Sequence, residues 1–318
     1  QGEAHYPFDE YDMLVKVPAS TANLGPGFDS IGMALSLYLT LKIKQSDHTR
    51  FYLRGENGRG LPADKSNLIY RTIEFLFDKI GKKAPELEIE VDSEIPLARG
   101  LGSSGAAITG GLAAANLLAG EPFSKDELFQ MAAKIEGHPD NVGASMFGGI
   151  IIAAKNDLGN YTYVRLDAPA NLGVAVAIPD FELKTKQARG VLPDKYTKED
   201  VVHAISHSAL LAGALARGDL AALRTALDDR IHQPYRAQLL PGFEEIRKNC
   251  RSHGALGAVI SGAGPSMLAF TDGDPAEVTV YMDSVLKKHG IKAAVTGLDI
   301  DNYGITFSLN KKMAVNEG

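Results

Sequence analysis

The chain has 318 residues, with 33 Lys and Arg against 39 Asp and Glu, for a formal charge of −6. At roughly 150 residues per domain this length predicts two domains, and the mild acidity lacks the basic footprint that marks a nucleic-acid partner. Its one cysteine, Cys250, can neither close an intrachain disulfide nor build a zinc site alone, which fits a reducing, cytoplasmic compartment. Taken from the start, residues 1–12 carry neither a basic n-region nor an apolar h-region, so they are no secretory signal. Met13 opens the first strand-like run at 14–17, and residues 1–12 read as leader or appended sequence. No stretch reaches the eighteen or so uninterrupted apolar residues of a membrane helix.

Residues 35–43 alternate apolar and polar, as do 86–91, the period of a strand with one wet face. Such strands belong to antiparallel or mixed sheets, because strands covered on both faces read as continuous apolar runs. A doubly wound fold therefore loses ground. Helices are expected at 67–80, 105–119 and 124–136, the last opened by a capping box of Ser124 and Glu127. Residues 148–154 and 161–166 read as a hairpin. A new strand at 172–179 follows Asp167, Ala168 and Pro169, which sets the domain boundary and gives units of 13–168 and 169–318. The second unit alternates helices at 198–216, 220–231, 243–252 and 275–288 with strands at 256–260, 267–271, 292–298 and 304–309. That pattern predicts an α+β fold.

Three loops rich in Gly and Ser stand out. The segment from Pro96 to Ala107 (Pro-Leu-Ala-Arg-Gly-Leu-Gly-Ser-Ser-Gly-Ala-Ala) joins a strand to a helix. It contains Gly100-x-Gly102-x-x-Gly105, but the amphipathic strand before it and Pro96 between them argue against a dinucleotide fingerprint. No Gly-Lys-Ser/Thr follows for a Walker loop, and Ala106 stands where a nucleophile elbow needs glycine, which also disfavours a serine hydrolase. The glycines can curl the backbone so that N–H groups converge on the positive end of the following helix, which makes a phosphate site. Ser103 and Ser104 add hydroxyls for a metal or a phosphate oxygen. The other loops run from Pro18 to Ser30 and from Ser261 to Ser266.

These three loops, in this order, resemble the three motifs of the GHMP kinases, the central one being Pro-x-x-x-Gly-Leu-Gly-Ser-Ser. Pro18 to Asp29, His138-Pro-Asp-Asn-Val142 and Gln233-Pro-Tyr-Arg236 are similar to the branch of that family acting on homoserine, and the likeness runs from about Met13 to Leu309. The resemblance implies a ribosomal-S5-like N-terminal domain, a ferredoxin-like C-terminal domain and a site between them. It implies ATP-dependent phosphorylation of the side-chain hydroxyl of L-homoserine, on the way to threonine, by a homodimer.

On that resemblance, the ATP phosphates are expected on Pro96, Arg99, Gly100, Leu101, Gly102, Ser103, Ser104 and Gly105, with adenine further out near Asn67. Ser104 and Glu136 match the family's Mg²⁺ ligands, a hard oxygen set. Glu136 precedes Gly137 at a helix C-terminus, where the dipole disfavours an acid, so another reason for it is expected. Arg189, in Thr185-x-x-x-Arg189, and Arg236 match the arginines that hold the substrate carboxylate, which a planar guanidinium suits bidentately. Asn23, Asp29 and Asp140 match residues that hold its amine and hydroxyl, with His138, Thr185 and Gly262 beside them. Asp140, supported by Asn141, is the catalytic candidate, as a base or as an orienting acceptor. A sibling kinase for another alcohol such as mevalonate, or a silent ligand sensor, are the competing readings. His203 and His207 are spaced i, i+4, but with no glutamate after the first and no third ligand in view they read as a structural or surface pair.

Overall fold

The computed structural model describes residues 8 and 10–310 and builds two sheets. The first half runs β1 (Met13–Ala22), β2 (Ile31–Gln45), β3 (Arg50–Arg54), α1 (Leu68–Lys79), β4 (Leu87–Ser93), α2 (Ser103–Leu118), α3 (Lys125–Glu136), α4 (Asp140–Phe147), β5 (Ile150–Lys155) and β6 (Tyr161–Leu166). The second half runs β7 (Leu172–Pro179), α5 (Thr185–Gly190), α6 (Lys198–Arg217), α7 (Leu223–Ala226), α8 (Gln233–Arg236), α9 (Phe243–Asn249), β8 (Ala255–Ile260), β9 (Met267–Asp272), α10 (Ala276–Lys288), β10 (Ala293–Leu298) and β11 (Thr306–Leu309).

The first sheet has the order β11-β1-β2-β4-β3, with β5 on β2 and β6 on β5; only β3 and β4 pair in parallel. Its apolar residues at alternate positions, Leu39, Leu41 and Ile43 of β2 among them, are buried against α2 and α4, as period-2 patterning requires. The wet face expected of β4 is covered instead. Glu88 and Glu90 are buried, Glu88 accepting from Ser46 at 3.0 Å and Glu90 pairing with Arg54 at 3.1 Å. The second sheet, β10-β7-β9-β8, is antiparallel throughout. Val174 and Val176 of β7 join the larger core with Leu211 and Leu215 of α6, while Ala175 and Ala177 belong to a second core with Val278 and Met282 of α10.

One expectation is corrected. The helix expected at 220–231 is a 3-10 turn at Leu220–Ala222 followed by α7, which stops at Ala226. The buried carboxylate of Asp229 accepts from the N–H groups of Ile231, His232 and Gln233, and those local bonds replace the helical ladder. After β10 the chain returns to the first sheet: β11 pairs with β1, and Ser36 N–H donates to the Asp299 carbonyl. Of residues 1–12, positions 1–7 and 9 lie outside the described residues, while Asp12 donates its N–H to Ile43. Among the described residues no helix is long and apolar enough to cross a membrane.

Candidate active site

The loop between β4 and α2 sits where the two halves meet. Leu183 N–H donates to Ala98, Ser266 N–H to Arg99 at 3.0 Å, and Ser261 Oγ to the Gly100 carbonyl at 2.6 Å. Gly100 has φ +82°, and a side chain there would stand 2.3 Å from the Ser261 carbonyl oxygen, so only glycine permits this seat. Gly102, also left-handed, starts α2 without any side-chain cap. The N–H groups of the first turn are therefore left for an anion, and the helix dipole favours one there.

Two cavities adjoin at this helix start. A polar one of about 140 Å³ is lined by Gly100, Gly102, Ser103, Ser104 and Arg99 from the loop, and by Asn23, Asp29, Glu136, His138, Asp140, Asn141, Thr185, Arg189, Arg236 and Gly262 from five other segments. A larger, apolar one of about 530 Å³ is lined by Leu61, Pro62, Val91, Leu97 and Ala107, with Asn67 at its wall. Ser103, Ser104 and Thr185 line both, so they form the passage between the chambers.

Pro96, Leu101 and Gly105 line neither cavity. Leu101 is buried in the core, and its carbonyl accepts from Ser20 N–H, so it anchors the loop from behind. Asn67 keeps its own amide busy, capping α1 through Ile69 N–H and donating to Pro62. Arg99 reaches toward the second half, 3.6 Å from Asp180 and 3.8 Å from Glu182. Ser104 Oγ donates to Glu136 Oε2 at 3.0 Å, which joins the starts and ends of two helices. Burial pushes the Glu136 carboxyl above its usual range, a cost that a cation would reverse.

At the inner end, Asn23 adopts φ +82° and Asp29 φ +56°, left-handed conformations that Asn and Asp tolerate better than most residues. Asn23 is spent as a brace, accepting from Asp29 N–H and donating to the Gly262 carbonyl across the two halves. Asp29 forms a bidentate pair with Arg189 at 2.8 and 3.1 Å. Asp140 opens α4 with its side chain buried; Oδ1 accepts from Asn141 N–H at 2.8 Å and from His138 Nδ1 at 3.0 Å. Its hydrogen bond to Asp140 raises the His138 pKa, so that ring favours the protonated form. β2 comes so close at Gly32 that an added methyl would stand 2.1 Å from the Asp140 carbonyl oxygen. Asn141 in turn accepts from Ser20 at 2.8 Å.

Arg236 is 1% exposed. Its guanidinium donates to the carbonyls of Ala188 and Gly262 and meets His232 Nδ1 at 3.1 Å, below the Phe28 ring. Among the described residues no carboxylate pairs with it, and burial pushes its pKa down to about 10. Sequence reasoning did not single out Ser20 and Phe28, although both lie inside the first Gly/Ser loop, or His232, which directly precedes Gln233; Ser20 bonds Asn141, and Phe28 and His232 stack beside Arg236.

The chain matches the family models described as GHMP kinases N terminal domain, over residues 67–149, and GHMP kinases C terminal, over residues 211–288. It is 47% identical to a homoserine kinase of Deinococcus radiodurans over 91% of this chain and 95% of that one. A homoserine kinase of Microchaete diplosiphon is 44% identical over 94% of this chain and 98% of its own length. Among solved structures, a homoserine kinase from Cytophaga hutchinsonii superimposes with a TM-score of 0.84 at 27% identity, covering 96% of this chain and all of the other.

Proposed function

We propose, for a chain that belongs to the GHMP kinase family and within it to the homoserine kinases, a division of labour between the two chambers. The reaction is ATP-dependent phosphorylation of the side-chain hydroxyl of L-homoserine to O-phospho-L-homoserine. In this reading adenine enters the apolar chamber beside Asn67, the phosphates cross the passage at Ser103 and Ser104 onto the uncapped start of α2, and homoserine fills the polar chamber.

The observation that carries the reading is Arg236, a buried guanidinium that no carboxylate pairs with among the described residues, in a cavity that also presents Asp29 and Asp140. An α-amino acid supplies both missing charges. Its carboxylate pairs with Arg236 and Arg189, and its amine with Asp29, so a bound zwitterion exchanges for the Asp29–Arg189 pair rather than adding to it. Mevalonate, lacking the amine, would leave Asp29 without a counter-charge once Arg189 turned to the substrate. The substrate hydroxyl then faces Asp140, whose Oδ2 is the oxygen not engaged by His138 or Asn141. Asp140 orients that hydroxyl and accepts its proton as the phosphoryl group transfers.

The donor set of Ser104 and Glu136 is all oxygen and suits Mg²⁺. Bound there, Mg²⁺ would neutralise the phosphate charge during transfer. The reading includes a cytoplasmic homodimer, for which Val202 and Ile205, 55% and 64% exposed on α6, offer apolar surface. Coupled ADP-release assays with Mg-ATP and L-homoserine, mevalonate or shikimate in parallel test the substrate. Turnover is expected with homoserine; turnover of mevalonate without homoserine would overturn the assignment.

A further inference from the structure

Away from the chambers, α6 places His203 and His207 on one face, with their rings stacked at 3.5 Å between centroids and 15° between planes. The sequence offers no third ligand near them, but the fold does. The loop after α7 brings Asp228 Oδ2 to 3.1 Å from His203 Nε2, and one donor atom from each of the three residues lies within 4.8 Å of the others. We propose that His203, His207 and Asp228 form a binding site for a borderline-soft divalent cation of the zinc or cobalt class.

The local hydrogen bonds prepare the donors. His207 Nδ1 stands 2.8 Å from the His203 carbonyl oxygen, which only accepts, so Nδ1 carries the proton and Nε2 keeps its lone pair for a metal. The His203 side chain is 10% exposed, and Nε2 is its ring nitrogen that meets Asp228. Tetrahedral zinc at about 2.0–2.1 Å from nitrogen and oxygen ligands needs donors roughly 3.3 Å apart, close to the 3.1 Å that separates His203 from Asp228. Arg247 approaches the other carboxylate oxygen of Asp228 only to 3.9 Å and is itself held by Glu244 at 3.0 Å, so Oδ2 is left to the imidazoles.

Two imidazoles and one carboxylate, completed by water, select zinc or cobalt over magnesium, the reverse of the oxygen pair at Ser104 and Glu136. A metal here would clamp α6 to the chain just before Asp229, whose carboxylate caps α8. The site needs no part of the kinase reading.

The test is titration of Co²⁺ and Zn²⁺ into the full-length, metal-stripped protein with excess Mg²⁺ present, read by cobalt visible absorption and by the shift in Tm. One equivalent is expected to bind and raise Tm. His207→Gln, at a half-exposed position, is expected to keep the metal-free Tm and to lose at least ten-fold in affinity. Asp228→Asn is expected to lose a similar factor. Absence of binding in the unaltered protein overturns the proposal. So does unchanged affinity in His207→Gln, and unchanged affinity in Asp228→Asn would reduce the feature to a bare histidine pair and overturn the three-ligand site.

Discussion

Arg236 holds its positive charge in the interior against carbonyl oxygens and an imidazole, and among the described residues no carboxylate pairs with it. A hydrogen bond to a charged group contributes about 1.5–3 kcal/mol, so Arg236→Gln is expected to lower kcat/KM for homoserine on the order of 10²-fold while KM for ATP stays nearly constant. Steady-state kinetics with each substrate varied would show it; equal damage to both would place Arg236 outside the homoserine pocket. For Asp140, loss of a general base typically costs about 10²-fold or more in turnover. Asp140→Asn should reach that factor in kcat, and a loss below about ten-fold would leave the residue an orienting role only. His138 adds a pH signature. Its folded pKa is raised by Asp140, so its stabilising contribution is complete below its unfolded value of about 6.5 and is lost as pH rises through the higher folded value. The Tm gap between the unaltered protein and His138→Gln should be widest near about pH 6 and shrink in alkaline buffer.

At the scale of elements, the capping box on α3 formed as its sequence pattern requires, Ser124 and Glu127 each bonding the other's backbone N–H. Ser124→Ala is expected to cost about 1 kcal/mol, measured as a lower denaturation midpoint. Kinetic constants should change little, because Glu136 sits at the opposite end of that helix. The start of α2 is the contrasting case. It has no side-chain cap, and the stability a cap would add is given up where phosphate is expected to bind. α7 shows why periodicity alone misleads: residues 220–231 keep a helical pattern, yet one buried carboxylate, Asp229, draws three N–H groups out of the ladder. Nothing local in the sequence distinguishes that aspartate from a surface acid.

Across the whole molecule, the halves are stitched by Asn23 to Gly262, Ser261 to Gly100 and Asp29 to Arg189, and by a last strand that returns to the first sheet. Calorimetry is expected to give one cooperative transition with matching calorimetric and van't Hoff enthalpies; two resolved transitions would mean that the halves unfold independently. The sequence by itself determined the α+β class, the alternating face of β2, the capping-box start of α3 and the three glycine loops. Those follow from periodicity, capping and backbone freedom, which act over a few residues. Only the tertiary structure decided that Asn23 braces Asp29 and Gly262, that no described carboxylate pairs with Arg236, that β11 belongs to the first sheet and that Asp228 meets the histidines of α6. Each of these joins residues far apart in the chain, and burial and pairing at such distances are set by how the layers pack, which no local pattern encodes.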